Sequence, residues 1–497
     1  MAPHRADAHP SSPSGLGTAM GLATGPATAA RPMDEDYSAV LARFACTLSA
    51  SRLPAEAVAA VQANIFDTLA CAAAGSSAQG VAEVRALATE WGGAPQAAIL
   101  VFGDRVPAHQ AAWVNGMMAH ARDYDDTHDA AVLHAGVSVV PAALAAAALR
   151  GTTPGEDFLA AVAAGLETIC RLGVATQASI IETGFIYTPL FGYFAATVAA
   201  SRILGLDPEQ TANALGIAYS QVAGNHQVTR DGALTKRMQP GFAAQAALVS
   251  VQLARRGIRG ARRTFEGEDG FLRVYLRDRC DREALRSGLG KDYEFVRLSY
   301  KPYPCCRLNH SAIDAALALR REGLAPHRIR RLRVGVNRQA YEAVCTPVDV
   351  RKAPQSVVQS QFSLPYTVAA ALVDGHVGLG HFETSALARP DILALARLVD
   401  AYVDDDIERR QGRNVTPAVM RAELVDGTVR DARIDVPLGH PSRPMPPVAA
   451  DAKAHDCFAH AALALSRDAV PRLRGMVDRL EDMGDARVLA DVLAPPS

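Results

Sequence analysis

The chain has 497 residues, 49% of them apolar and 21% charged, with a formal net charge of -1. That length buries a sizeable core and points to more than one domain. The near-neutral balance gives no electrostatic case for nucleic acid or an anionic membrane surface as a partner.

Residues 1–33 are mostly Gly, Ala, Pro, Ser and Thr. They lack a basic segment followed by an apolar one, so a disordered tail is expected rather than a secretion signal. Order begins near Asp34. Residues 37–48 have helical spacing, Pro54 starts a second helix, and 81–91 form a third. Residues 98–102 read as a short strand or extended piece. Pro107 opens a helix that runs into the acidic stretch Arg122-Asp-Tyr-Asp-Asp-Thr-His-Asp129, closed by His134. The apolar run 130–149 is alanine-rich and interrupted by Gly136, Ser138 and Pro141, which suits a buried helix better than a membrane span. Helices follow over 157–174, 191–203 and 207–222. A loop at 225–230 leads through Lys236-Arg237-Met238-Gln239-Pro240-Gly241 to a helix at 242–253.

The texture changes near Phe271. A helix at 311–320, a period-two strand at 329–336, helices through 372 and over 385–403, and strands at 419–424 and 428–436 around Asp426-Gly427 describe an α+β region. The expected organisation is an all-helical domain over 34–292, an α+β lid over 293–440, and helices over 441–497 returning to the first domain. A small ligand belongs in the cleft between the two.

The acidic stretch admits three readings. Asp123, Asp125, Asp126, His128, Asp129 and His134 could form an oxygen-rich metal site, although the spacing has no calcium-loop pattern and no zinc helix occurs. Asp125, Asp126 and Asp129 could cap the next helix or face water. Asp123 and His134 could instead stand beside a substrate for proton transfer, with Thr127 as a hydrogen-bond donor. Lys236 and Arg237 before an almost uncharged helix suggest an anion site. Lys301, Arg307 and His310 around Pro304-Cys305-Cys306 form a second basic group, and the two groups together suit a ligand with more than one carboxylate. Cys305 and Cys306 invite a thiol-nucleophile reading, but packing is the plainer role. Tyr366 is an acid or hydrogen-bond donor on one reading and a core tyrosine on the other. The chain has no dinucleotide fingerprint, phosphate loop or nucleophile elbow, so chemistry without a cofactor is expected. Eight cysteines without zinc-like spacing suggest a reducing cytoplasmic setting.

Ordered blocks at 64–74, 115–134, 184–192, 232–244, 301–314, 362–375 and 436–446 resemble the MmgE/PrpD family. Its members include 2-methylcitrate dehydratase, cis-aconitate decarboxylase and iminodisuccinate epimerase. The resemblance implies a mainly α fold with a smaller α+β lid, a homodimer, and a site between the two domains. It implies that Asp123, Thr127 and His134 line the pocket from the helical side, that Lys236 comes from the loop before its helix, and that Lys301 and Tyr366 face them from the lid. Arg237, Arg307, Gln239, Tyr187 and His310 are the accompanying substrate-binding positions, and no metal is implied. Two positions depart from the pattern. Ile186-Tyr187 stand where many members have His-Pro, and Gln239 stands where a histidine is frequent. Ile186 argues against simple cis-aconitate decarboxylation, because decarboxylase-type members use that histidine.

The shared chemistry is removal or return of a proton beside a carboxylate. The leading expectation is a lyase that dehydrates a hydroxylated or unsaturated polycarboxylic acid. The alternatives are an epimerase of a dicarboxylate such as iminodisuccinate, a decarboxylase of a cis-aconitate-like acid, and a non-catalytic helical binding protein.

Overall fold

The computed structural model describes residues 35–411 and 417–495. The expected tail, 1–33, lies outside the described residues. Helices dominate up to Arg255. Those that position the site are Ala55–Gly75, Ala108–His120, Gly136–Arg150, Tyr187–Ile203 and Thr235–Arg255. Many of their buried side chains are alanines, such as Ala70, Ala111, Ala143, Ala196 and Ala247, so the helix axes approach closely. The closest approach that matters here is between Ala108–His120 and Thr235–Arg255. A Cβ on Gly116 would sit 2.8 Å from the Cα of Gly241. Only a glycine pair permits this crossing, and it brings the C-terminal end of one helix to the first turn of the other.

Helix Gly155–Ala175 is apolar nearly all round and buried, as such a helix must be. It and Ala55–Gly75 are long and apolar enough to cross a membrane by length and composition, yet both are mostly buried within the protein. The helical region also contains one two-residue antiparallel pair, Ala97–Ala98 with Arg105–Val106.

A second hydrophobic core gathers residues between Tyr303 and Leu424. It covers a four-stranded sheet in the order Val399–Val403, Ile329–Val336, Ala418–Leu424, Val429–Ile434. The last two strands form the hairpin about Asp426-Gly427, with Gly427 at φ +83° and Ala418 opposite Ile434. The helix expected over 385–403 is shorter, Pro390–Arg397, and Val399–Val403 runs parallel to residues 332–336. Helices His310–Arg321 and Leu364–Asp374 pack against this sheet. Helices Pro447–Ala459 and Ala469–Val477 place Ala454, Cys457, Leu473 and Val477 in the first core.

Candidate active site

The acidic stretch is folded by its own charges. Asp126 accepts from the N–H groups of Ala135 (2.8 Å) and Gly136 (3.1 Å), capping helix Gly136–Arg150. Asp129 accepts from Ser299 Oγ at 2.6 Å and from both Nε and Nη2 of Arg307 at 3.2 Å. The backbones of Thr127 and Ser299 exchange two hydrogen bonds, 2.8 and 2.7 Å. This bridge lays residues 299–301 beside the loop. Asp123 has φ +53°, a left-handed conformation that aspartate tolerates better than most residues. Its carbonyl oxygen accepts from Lys301 Nζ at 2.8 Å.

Three structural pieces meet around Asp123. Its carboxylate lies 3.3 Å from Lys301 Nζ and 3.5 Å from Lys236 Nζ. Burial opposes its charge, but the two lysines, with His134, hold its pKa far below the usual carboxylate range. Burial likewise works against the Lys301 ammonium, whose side chain is 1% exposed, and Asp123 with Asp125 raises its pKa in net. Lys236 lies in the first turn of helix Thr235–Arg255, which begins earlier than expected; it does not come from a loop before the helix. Its ammonium also faces the ring of Phe362, 5.9 Å away, and lies 3.3 Å from His120 Nε2.

His120 was not among the residues singled out from the sequence, and Asp125 was weighed there only as a metal ligand or as a cap or solvent-facing residue. Asp125 is completely buried, and its Oδ2 lies 2.9 Å from Nδ1 of both His120 and His134. The rings are 4.8 Å apart. His134 Nδ1 also meets the carbonyl oxygen of Asp126 at 2.6 Å. Burial opposes the Asp125 charge, and the two imidazoles pull its pKa well below the usual value. Burial lowers the pKa of His120 to about 4, Asp125 partly counters this, and Lys236 lowers it further. Of the six residues in the metal reading, only Asp125 and His134 come together in a ligating group, and His120 completes it. Their ligating atoms lie within 4.8 Å of one another. The same atoms already form hydrogen bonds, and the Lys236 ammonium stands against this group.

Thr127 is buried, and its Oγ1 has no hydrogen-bond partner among the described residues. At the edge of the site Arg122 donates to Ala74 O (3.0 Å) and Ser77 Oγ (2.6 Å), while Arg237 donates to Gln79 O at 3.4 Å. Neither guanidinium forms an ion pair among the described residues. The like charge of Arg122 adds to burial in lowering the pKa of Arg237.

Five expected binding or catalytic positions are committed elsewhere. Tyr366 is buried in the lid core and its hydroxyl donates to His381 O at 2.7 Å. Burial pushes its pKa up to about 12. Tyr187 donates to Ala178 O at 2.5 Å and stacks on Phe191. Gln239 donates to Asn225 O at 3.2 Å. Arg307 is held by Asp129, and His310, fully buried, contacts Arg307 and Cys305 O. Burial and the neighbouring Arg307 depress the His310 pKa, so its ring is neutral. The thiols are no nucleophiles: burial raises the pKa of Cys305, and that of Cys306 to about 11. A separate cavity of about 800 Å³, lined by Tyr124, Pro302, Asp374, His381, Arg389 and Lys453 among others, contains none of the six expected catalytic side chains.

The MmgE/PrpD N-terminal domain model matches residues 39–283, and the MmgE/PrpD C-terminal domain model matches residues 303–480. The chain is 26% identical over 478 residues to cis-aconitate decarboxylase-like protein oryM of Aspergillus oryzae, covering 92% of this chain and 97% of the relative. It is 28% identical over 429 residues to cis-aconitate decarboxylase of Aspergillus terreus, covering 82% and 86%. It is 28% identical over 399 residues to cis-aconitate decarboxylase of Mus musculus, covering 79% and 80%. Both domain models together span most of the sequence, and the chain belongs to the MmgE/PrpD family of carboxylic-acid-metabolising enzymes.

Proposed function

We propose that the protein is a lyase that decarboxylates an unsaturated polycarboxylic acid of the cis-aconitate type. The observation that carries this reading is the convergence of Lys236 and Lys301 on Asp123 beside His134. Lys236 and Lys301 stand against Asp123, and Arg237 lies within reach of its charge, which leaves positive charge for a polyanionic substrate. The names of the relatives favour decarboxylation over dehydration.

Loss of carbon dioxide breaks a carbon–carbon bond and leaves its electron pair on the substrate. Conjugation with the neighbouring double bond and carboxylate spreads that charge, and the two ammonium groups lower its energy. A proton then adds to carbon. His134 supplies it from Nε2, which has no partner among the described residues and takes that proton up from solvent before each turnover, because the ring's other hydrogen stays on the engaged Nδ1.

A second reading, dehydration of a hydroxy-acid, is favoured by Ile186, which offers no ionisable group, and by Tyr187, whose hydroxyl is turned to Ala178. There His134 removes the proton instead. A homodimer and a cytoplasmic location accompany both readings.

Purified protein should convert cis-aconitate in deuterated buffer to a product that has lost one carboxyl group and gained one deuteron on carbon, as read by NMR. His134→Ala and Lys301→Ala should each lower the rate by about 10²-fold or more. Turnover of hydroxy-acids without cis-aconitate turnover selects dehydration. Unaltered activity in both variants rejects the site.

A further inference from the structure

We propose that Asp125 and His120 are positioning residues that join Lys236 and His134 into one hydrogen-bonded chain, Lys236–His120–Asp125–His134, and thereby fix which atom of each acts on the substrate. This deepens the lyase reading above and rests on it for its kinetic half.

His134 Nδ1 faces two acceptors, the Asp126 carbonyl oxygen at 2.6 Å and Asp125 Oδ2 at 2.9 Å. Neither has a proton to give, so Nδ1 carries the hydrogen and Nε2 carries the lone pair. His120 Nδ1 faces the same Asp125 oxygen at 2.9 Å and is the donor for the same reason. Its Nε2 is then an acceptor, and the group 3.3 Å away is the Lys236 ammonium. The Asp125 oxygen therefore sets the tautomer of His120, and the Asp126 carbonyl oxygen, with Asp125 beside it, sets that of His134. One ring presents a base or conjugate acid to the substrate, and the other aims a lysine.

The surroundings lock the chain. Asp125 and His120 are 0% and 4% exposed, whereas His134 and Lys236 keep side chains 17% and 21% exposed. The buried members thus touch no solvent-facing ligand, and the two ends do. His120 is the last residue of its helix, and the Gly116–Gly241 crossing sets its distance from Lys236. Asp125 is followed by two loop residues that are themselves fastened, Asp126 on the next helix and Thr127 on Ser299.

Two arms test this on the full-length protein. The first needs no substrate: long-range ¹H–¹⁵N spectra of histidine-labelled protein, with His120 and His134 assigned by substitution. Both rings should be Nδ1–H tautomers in the wild type, and Asp125→Asn, whose amide can donate, should shift at least one to Nε2–H. The second arm measures kcat and KM on cis-aconitate. Asp125→Asn should lower kcat by about 10²–10⁴-fold, the range for an orienting carboxylate whose loss permits the wrong tautomer, with KM within about threefold. His120→Asn keeps a donor for Asp125 and loses the contact to Lys236, and it should lower kcat by about 10–100-fold, as loss of an outer-shell partner does. His120→Gln, which offers Oε1 to Lys236, should recover part of that loss; a purely structural role predicts no such ordering. An Nε2–H tautomer on either ring of the wild type overturns the proposal, as does wild-type kcat in Asp125→Asn. If the wild type does not turn over cis-aconitate, the decarboxylase reading fails and the tautomers alone decide the chain.

Discussion

Asp126 sits completely buried beside the Asp125 carboxylate, and burial first, then that neighbour, raises its pKa from 3.8 to about 6. The folded protein therefore holds a proton that the unfolded chain has released between those two values. The stability from this group is complete below pH 3.8 and is lost as the pH rises through about 6. A shift of about two units corresponds to about 3 kcal/mol. Asp126→Asn cannot titrate, so the stability difference between wild type and variant should fall by about that amount from pH 4 to pH 7. Denaturant unfolding at several pH values measures it, and a pH-independent difference contradicts it. At this scale the sequence exposed the chemistry unevenly. Asp123, His134, Lys236 and Lys301 lie together, an arrangement that the family resemblance implied and that the residue types by themselves left open. His120 was invisible, since a histidine at the end of an apolar helix reads as a core residue and its partner Lys236 is 116 positions away. Asp125 could not be singled out among its acidic neighbours, because choosing between them requires knowing which side of the loop turns inward.

The helices Ala108–His120 and Thr235–Arg255 meet through glycine, and this contact sets the Lys236–His120 distance. In Gly116→Ala the new Cβ would stand 2.8 Å from Gly241 Cα and 3.2 Å from Val137 O. Overpacking of this kind costs about 1–3 kcal/mol, and relief by separating the helices lengthens the contact. The variant should lose stability and kcat together. Gly475→Ala in helix Ala469–Val477 adds a Cβ that meets nothing within 4 Å; it should leave kcat unchanged and raise stability by about 0.5–1 kcal/mol. Thermal denaturation and steady-state kinetics on the pair separate the two outcomes. Elements held by local signals were legible: the Asp426-Gly427 hairpin appears where the turn residues place it, and Asp207 with Gln210 caps its helix. Elements that depend on distant partners were not. Val399–Val403 read as helix because its parallel partner lies some 67 residues earlier, at 332–336. Pro240-Gly241 read as a helix breaker, yet packing carries the helix through both.

The two hydrophobic cores share the site but are not equally independent of the chain's last segment. Lys453, on helix Pro447–Ala459, is 4% exposed and bonds to Asp67 at 2.5 Å and to the carbonyl oxygen of Tyr124 at 2.7 Å. Its ammonium also stands 4.4 Å from the Tyr124 ring. Tyr124 lies between Asp123 and Asp125, so this lysine is a support beneath the acidic loop. Lys453→Met removes the partner of a buried carboxylate and should cost about 3–5 kcal/mol; Asp67→Asn added to it should restore a large part of that loss. Calorimetric unfolding of the single and double variants decides, and equal stability of the two contradicts the pairing. The contact joins residues 386 positions apart, and this has a consequence for synthesis. A ribosome that has translated the second core and most of the first has still not delivered Lys453. Until it does, the growing chain holds Asp67 without its cation, and Tyr124 without the donor to its carbonyl. The acidic loop is thus completed only once Lys453 has been made, after Lys236 and Lys301, which lie against it.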